Sequence, residues 1–243
     1  MITRLSGYLG PAMAEYTLGM VISLERRFFE YQHHQAQRNW ADQGAVYRPL
    51  NTLTLGILGA TGDIGSQVAQ KAKAFGMKVH GLGRSQREEH FPNVDVVHFG
   101  KDSLPKFLSE VDYFVNCLPS TKDTVGLLSG EVLKHCVKKP SFINIGRFVW
   151  LGCFAARSWF LTHLLACTRG DVIDEDSIIK ALDSGWVKTV VADVTAKEPL
   201  PETSPLWARK YEEPSFTQPH VNSHVTHSLA ALGMLLSRPM LRR

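Results

Sequence analysis

From Pro11 to Arg38 apolar residues recur at helical spacing. Ala14, Leu18, Val21, Phe28 and Tyr31 share one stripe, while Glu25, Arg26 and Arg27 stand on the wetter side. The pattern predicts one long helix with Pro11 in its first turn. Such a stripe is a core face if covered and a subunit contact if exposed. A loop follows around Asp42 to Asn51, and the period then shortens. LTLGILG (53–59) reads as a buried strand, SQVAQKAKAF (66–75) as a helix ended by Gly76, and KVHGLG (78–83) as a second strand. VDVVHF (94–99) is a third strand, LPKFLSEV (104–111) a helix, and DYFVNCLP (112–119) a fourth strand stopped by Pro119. SGEVLKHC (129–136) is predicted helical and SFINIG (141–146) a fifth strand. DEDSIIKALDSG (174–185) has an acidic start and a glycine stop, as a helix does, and VKTVVADV (187–194) is a sixth strand. Strands alternating with helices predict an α/β fold, a doubly wound parallel sheet with helices on both faces.

Between the first strand and its helix stands Gly59-Ala60-Thr61-Gly62-Asp63-Ile64-Gly65. A strand, a glycine turn and a helix in that order form a phosphate-binding device: glycines let backbone N–H groups approach oxygens, and the helix N-terminus favours negative charge. The spacing is GxxGxxG, one residue wider than the usual GxGxxG. That opening is also similar to atypical short-chain dehydrogenases, but none of the six tyrosines has a lysine four residues on, so this reading stands second. At the end of the second strand an NAD site expects an acidic residue. Here Arg84 and Ser85 follow instead, which suits the 2′-phosphate of NADP, since a guanidinium grips phosphate in bidentate fashion. NADP is favoured, with NAD as the alternative.

Composition narrows the classes. The chain has 243 residues, 44% hydrophobic and 21% charged, with a net charge of +4, ordinary for a soluble globular protein. No basic tract interleaved with aromatics points to nucleic acid. Cys117, Cys136, Cys153 and Cys167 form neither a CxxC pair nor a disulfide-like framework, so a reducing, cytoplasmic setting and no metal are expected. Phe148 to Thr168 is apolar over about the length a bilayer needs, but Arg157 near its middle and His163 make insertion costly. No membrane partner is expected.

Five stretches together resemble the D-isomer-specific 2-hydroxyacid dehydrogenases, the glyoxylate/hydroxypyruvate reductase-like branch in particular. They are GPAMAEYTLGMVISLERR (10–27), VNCLPSTKDTVGLLS (115–129), FINIGR (142–147) with RGDVIDEDSIIKALDSG (169–185), VADVTAKEPLPETSPLW (191–207) and TQPHVNSH (217–224). The resemblance implies a Rossmann dinucleotide-binding domain that reduces a small 2-oxoacid with NAD(P)H, in a homodimer. It implies cofactor contacts from Gly59, Gly62, Asp63, Ile64, Gly65, Arg84, Ser85, Leu118, Pro119 and Asp193, the last orienting the nicotinamide. It places the catalytic groups at Arg147, Glu198 and His220. An arginine can bind the substrate carboxylate through two parallel hydrogen bonds and polarise the ketone. A histidine is the natural general acid near neutral pH, and a glutamate beside it favours imidazolium.

The chain departs from the family in two places. The family carries a substrate-domain half before the long helix, and here that helix nearly opens the chain, so the N-terminal half of the substrate domain is expected to be absent. The family also runs from Gly-Arg straight into Gly-Asp. Removing Phe148 to Arg169 would restore INIGRGDVIDED, which marks 148–169 as an insertion and leaves Arg169 as a rival to Arg147. The expected organisation is a helix and linker at 1–50, a dinucleotide-binding domain at 51–220 carrying the insertion, and a tail at 221–243. After His220 the tail fits the family poorly. A catalytically silent NAD(P)-binding or dimerising protein is the alternative function.

Overall fold

The computed structural model describes residues 9–40, 47–84, 91–146, 170–208 and 215–217. Seven parallel strands form one sheet in the order β3-β2-β1-β4-β5-β6-β7. They are β1 (Thr54–Leu58), β2 (Lys78–Gly83), β3 (Val96–Phe99), β4 (Tyr113–Asn116), β5 (Ser141–Asn144), β6 (Thr189–Ala192) and β7 (Ser215–Thr217). The order runs outward both ways from β1 and β4, so the doubly wound fold expected from the alternating pattern is the one observed. All residues of β1, β4, β5 and β6 are buried, as parallel strands covered on both faces must be.

Alternate side chains of those strands feed two cores. On one face Leu55, Ile57, Val79, Val115, Ile143 and Val191 pack under α1 (Gly10–Glu25) and α3 (Asp63–Ala74). On the other, Leu58, Phe114, Phe142 and Val190 pack under α4 (Leu104–Glu110) and α5 (Glu175–Asp183). Phe114 and Phe142 stack there with ring centroids 4.6 Å apart. Gly56 lets α4 come close: a Cβ at that position would lie 2.6 Å from the Phe107 ring.

Five sequence expectations need correction. The single helix over 11–38 is two, α1 and α2 (Phe28–Ala36), broken at Arg26 and Arg27, where Arg27 takes φ +55°. Ala14, Leu18 and Val21 are buried as expected, but Phe28 and Tyr31 are 53% and 40% exposed, because α2 runs beyond the edge of the core. Glu25 is not on the wet side. It lies inward, where Arg48 pairs with it and the Tyr113 hydroxyl donates to it at 2.8 Å. The predicted helix at 129–136 is only a 3-10 turn at Val132–His135, and a seventh strand, β7, lies within a stretch that carries no strand pattern. No helix among the described residues is long and apolar enough to cross a membrane. The segment at 148–168 and the tail at 221–243 lie outside the described residues.

Candidate active site

The carboxyl ends of the strands converge where β1 and β4 diverge in connection, the crevice in which open α/β sheets bind ligands. Gly59 leaves β1 with φ +88°, and the Gly62 amide donates to the Gly59 carbonyl at 3.0 Å, closing a tight turn. Gly62 then caps α3 with no side-chain bond. The first helical bond runs from the Ser66 amide to the Gly62 carbonyl, so the amides of Ile64 and Gly65 stand outside the helix's own ladder. A Cβ on Gly65 would lie 2.2 Å from the Gly59 carbonyl oxygen. The wider glycine spacing is therefore used fully: Gly59 makes the turn, Gly62 caps, and Gly65 permits helix and strand to touch. Leu118, after β4, packs against Gly59, 3.3 Å from where its Cβ would be, with Pro119 exposed beyond it. The start of α1 completes the wall, since a Cβ on Gly10 would meet the Asp63 carboxylate at 3.1 Å. Arg84 is exposed immediately after β2.

A buried asparagine pair braces the same crevice. Asn116 Nδ2, at the end of β4, donates to Asn144 Oδ1, at the end of β5, at 2.8 Å. Asn144 Nδ2 donates in turn to the Val194 carbonyl after β6 at 3.1 Å, and the Leu118 amide donates to Asn116 Oδ1 at 3.1 Å. Three strand ends are tied by side chains where the backbone ladder stops. The closeness of Gly146 depends on this, because a Cβ there would sit 2.2 Å from Asn116 Nδ2. Asn116 lies in VNCLPSTKDTVGLLS and Asn144 in FINIGR, both stretches that the sequence analysis uses, but it singles out neither, because only the sheet sets them opposite each other at the last paired position of β4 and β5.

Glu198 and Asp193 stand on the β6 side. Asp193 is buried and its amide donates to the Asn144 carbonyl at 3.0 Å. The Glu198 carboxylate accepts from the Thr195 amide at 3.1 Å, which fixes it over the turn that follows β6. Among the described residues the buried Tyr16 hydroxyl of α1 has no hydrogen-bond partner, and burial together with the Asp193 charge pushes its pKa upward. Tyr16 is a third polar group the sequence reading did not single out. Ser85, Arg147, Arg169 and His220 lie outside the described residues.

The two residues flanking the 147–169 stretch, Gly146 and Gly170, dock on one network. The Gly146 amide reaches Asn144 Oδ1 at 3.4 Å, and the Gly170 amide donates to the Thr195 carbonyl at 3.1 Å, beside Val194. From Gly170 the chain runs directly into buried Val172 and Ile173, with Asp171 accepting from Ser120 Oγ at 2.8 Å.

The family model for the D-isomer specific 2-hydroxyacid dehydrogenase, NAD binding domain, matches residues 18–149 and 161–222, breaking between them. Among solved structures, a D-isomer specific 2-hydroxyacid dehydrogenase from Xanthobacter autotrophicus Py2, in complex with NADPH and MES, is 28% identical with a TM-score of 0.70. The match covers 89% of this chain and 59% of that one. A family protein from Aeromonas salmonicida is 31% identical with a TM-score of 0.70, over 96% of this chain and 67% of that one. An NADPH-dependent glyoxylate/hydroxypyruvate reductase from Sinorhizobium meliloti, in complex with NADP and sulfate, is 25% identical with a TM-score of 0.69, over 96% and 68%. This chain thus spans about three fifths to two thirds of the length of these relatives. With the family match running through both halves of the sheet and the glycine turn at its switch point, the chain belongs to the D-isomer specific 2-hydroxyacid dehydrogenases, through their NAD-binding domain.

Proposed function

We propose that the chain reduces a small 2-oxoacid, of the glyoxylate or hydroxypyruvate kind, to the D-2-hydroxyacid with NADPH. The observation that supports this most is the turn from Gly59 to Gly65, built at the switch point with the N-terminus of α3 behind it. Gly59, Gly62, Asp63, Ile64 and Gly65 would hold the pyrophosphate, whose charge the helix terminus favours. The fit rests on the close backbone approach at Gly65, which any side chain would block. Arg84 and Ser85 would take the 2′-phosphate, which favours NADP over NAD. Leu118 and Pro119 would line the path from the turn towards Asp193, which would orient the nicotinamide.

When bound, the reduced nicotinamide supplies the hydride for the substrate's carbonyl carbon. The chain's own groups do the rest. Arg147 binds the carboxylate and polarises the ketone. His220 gives its proton to the carbonyl oxygen as negative charge develops there. Glu198 favours the imidazolium and so keeps that proton in supply. The exposed Phe28 and Tyr31 on α2 support a homodimer formed through that helix; sedimentation of Phe28→Asp, expected to shift towards monomer, tests it.

The deciding experiment titrates the chain with NADPH and NADH, then follows NADPH absorbance on addition of glyoxylate or hydroxypyruvate. NADPH is expected to bind more tightly, Arg84→Ala to erase that preference, and His220→Ala to lower kcat about a hundredfold or more with cofactor affinity unchanged. Cofactor binding without turnover would favour the silent nucleotide-binding alternative. Binding of neither cofactor would overturn both readings.

A further inference from the structure

On the opposite face of the sheet from α3, three side chains from three elements meet. His80 comes from the middle of β2, His98 from β3 and Glu110 from the end of α4. Both histidines are buried, at 2% and 5% exposed, while the Glu110 side chain keeps 35% of its surface. His80 Nδ1 lies 3.3 Å from Glu110 Oε2, His98 Nε2 lies 3.4 Å from the same oxygen, and the two nitrogens are 3.4 Å apart. The three ligand atoms form a nearly equilateral triangle. We infer that His80, His98 and Glu110 are a binding site for one divalent cation of the zinc class, with water in the fourth position.

The size of the triangle carries this. Bonds of about 2.0–2.1 Å to nitrogen and oxygen, at tetrahedral angles, put ligand atoms about 3.3–3.4 Å apart. An octahedral ion with bonds of about 2.0–2.1 Å needs neighbouring ligands only about 3.0 Å apart. Two imidazoles and one carboxylate are also a donor set that zinc accepts with an open position. Without a cation the arrangement is poor. Either two ring N–H groups crowd one carboxylate oxygen, or one N–H is shared between that oxygen and the other ring, which leaves two acceptors facing each other at 3.3–3.4 Å. A cation satisfies all three lone pairs at once.

The surroundings hold one ring in place: His98 meets the edge of Phe107, with ring centroids 5.7 Å apart, and packing of this kind fixes the ring. Ligation through Nδ1 puts the His80 proton on Nε2, which is buried without an acceptor among the described residues, so the site stands on the triangle and not on an outer-shell partner. Glu110, at the helix end, is the ligand that reaches water. Ligation would fasten the outermost strand β3 and helix α4 to β2. No metal was expected from the sequence, because the ligands are spread over thirty residues without a recognisable spacing. The site does not depend on the proposed reaction.

The test uses the full chain freed of metal by chelator. Zinc titration against a competing chelator is expected to show one tight equivalent. At about a hundredfold excess over Kd, the Tm should rise by about 5–10 °C. Co²⁺ in place of zinc should give the intense visible absorption of tetrahedral coordination. Glu110→Gln, at a partly exposed position that the fold tolerates, should weaken zinc at least a hundredfold, beyond the 10–100-fold loss typical of outer-shell changes. His98→Gln, checked by circular dichroism, should do the same; if it fails to fold, Glu110→Gln decides. Absence of a tight equivalent, a weak octahedral Co²⁺ spectrum, or unchanged affinity in Glu110→Gln, as binding by exposed His33 and half-buried His34 would give, overturns the inference.

Discussion

Gly65 shows how much one missing side chain controls. Its Cβ would stand 2.2 Å from backbone rather than from a side chain that could move, so Gly65→Ala must separate α3 from β1. The expected cost is about 1–3 kcal/mol by urea unfolding, with NADPH affinity falling in the same variant by titration. Asp174 acts by making bonds. Its carboxylate accepts from the Ser177 amide at 2.7 Å and from Ser177 Oγ at 2.9 Å, capping α5. Burial pushes that carboxyl up, but the donors from Ser129 and Ser177 together outweigh it and hold its pKa below the ordinary aspartate range. A depressed carboxyl contributes its stability above the unfolded-state pKa of about 4 and loses it as pH falls through the folded value. Asp174→Ala should therefore cost about 1 kcal/mol at pH 7. The gap from wild type should narrow in urea melts at pH 3. Both residues were legible in the sequence, since a glycine opening a helix and an aspartate before one are local signals. The Asn116–Asn144 brace was not, because it joins residues that only the sheet makes neighbours.

At the scale of elements, the break between α1 and α2 is the clearest case of tertiary structure overriding a local pattern. The helical stripe continues through Tyr31, yet the core ends near Glu25. That carboxylate turns inward to Arg48 and to the buried Tyr113 hydroxyl, while Arg48 also reaches Asp112 at 3.1 Å. The cluster ties the end of α1 to the start of β4, and α2 continues without burying any residue. Glu25→Ala leaves the Tyr113 hydroxyl without its acceptor and should cost about 1–3 kcal/mol. Adding Tyr113→Phe should recover part of that loss, because the buried hydroxyl that has lost its carboxylate and keeps only Ser141 is then gone. Chemical denaturation of the two single variants and the double variant measures the coupling. Fully additive losses would show that the hydroxyl and Glu25 act independently.

For the whole molecule, the family match breaks within the stretch that the sequence marks as inserted, and the two flanks of that stretch meet on the Asn144–Val194–Thr195 network. Flanks that already share one network can be joined more directly with little movement of either. Deleting 148–169 is thus expected to leave Tm unchanged or higher in thermal melts, with NADPH affinity retained. If the segment covers the substrate position after Gly146, turnover should rise on deletion. A large fall in Tm would mean instead that the segment is part of the core.

Periodicity alone fixed six of the seven strands and the alternation that forces a parallel, doubly wound sheet, because burial on both faces leaves continuous apolar runs in the chain itself. The glycine turn was equally legible, since its requirements are those of a few consecutive residues. Tertiary structure decided where α1 ends, why Glu25 is buried, which asparagines lock the crevice and how His80, His98 and Glu110 come to share a triangle. Each of those depends on contacts between distant segments, whose free energy is set by which strand lies beside which, and no local window of sequence contains that.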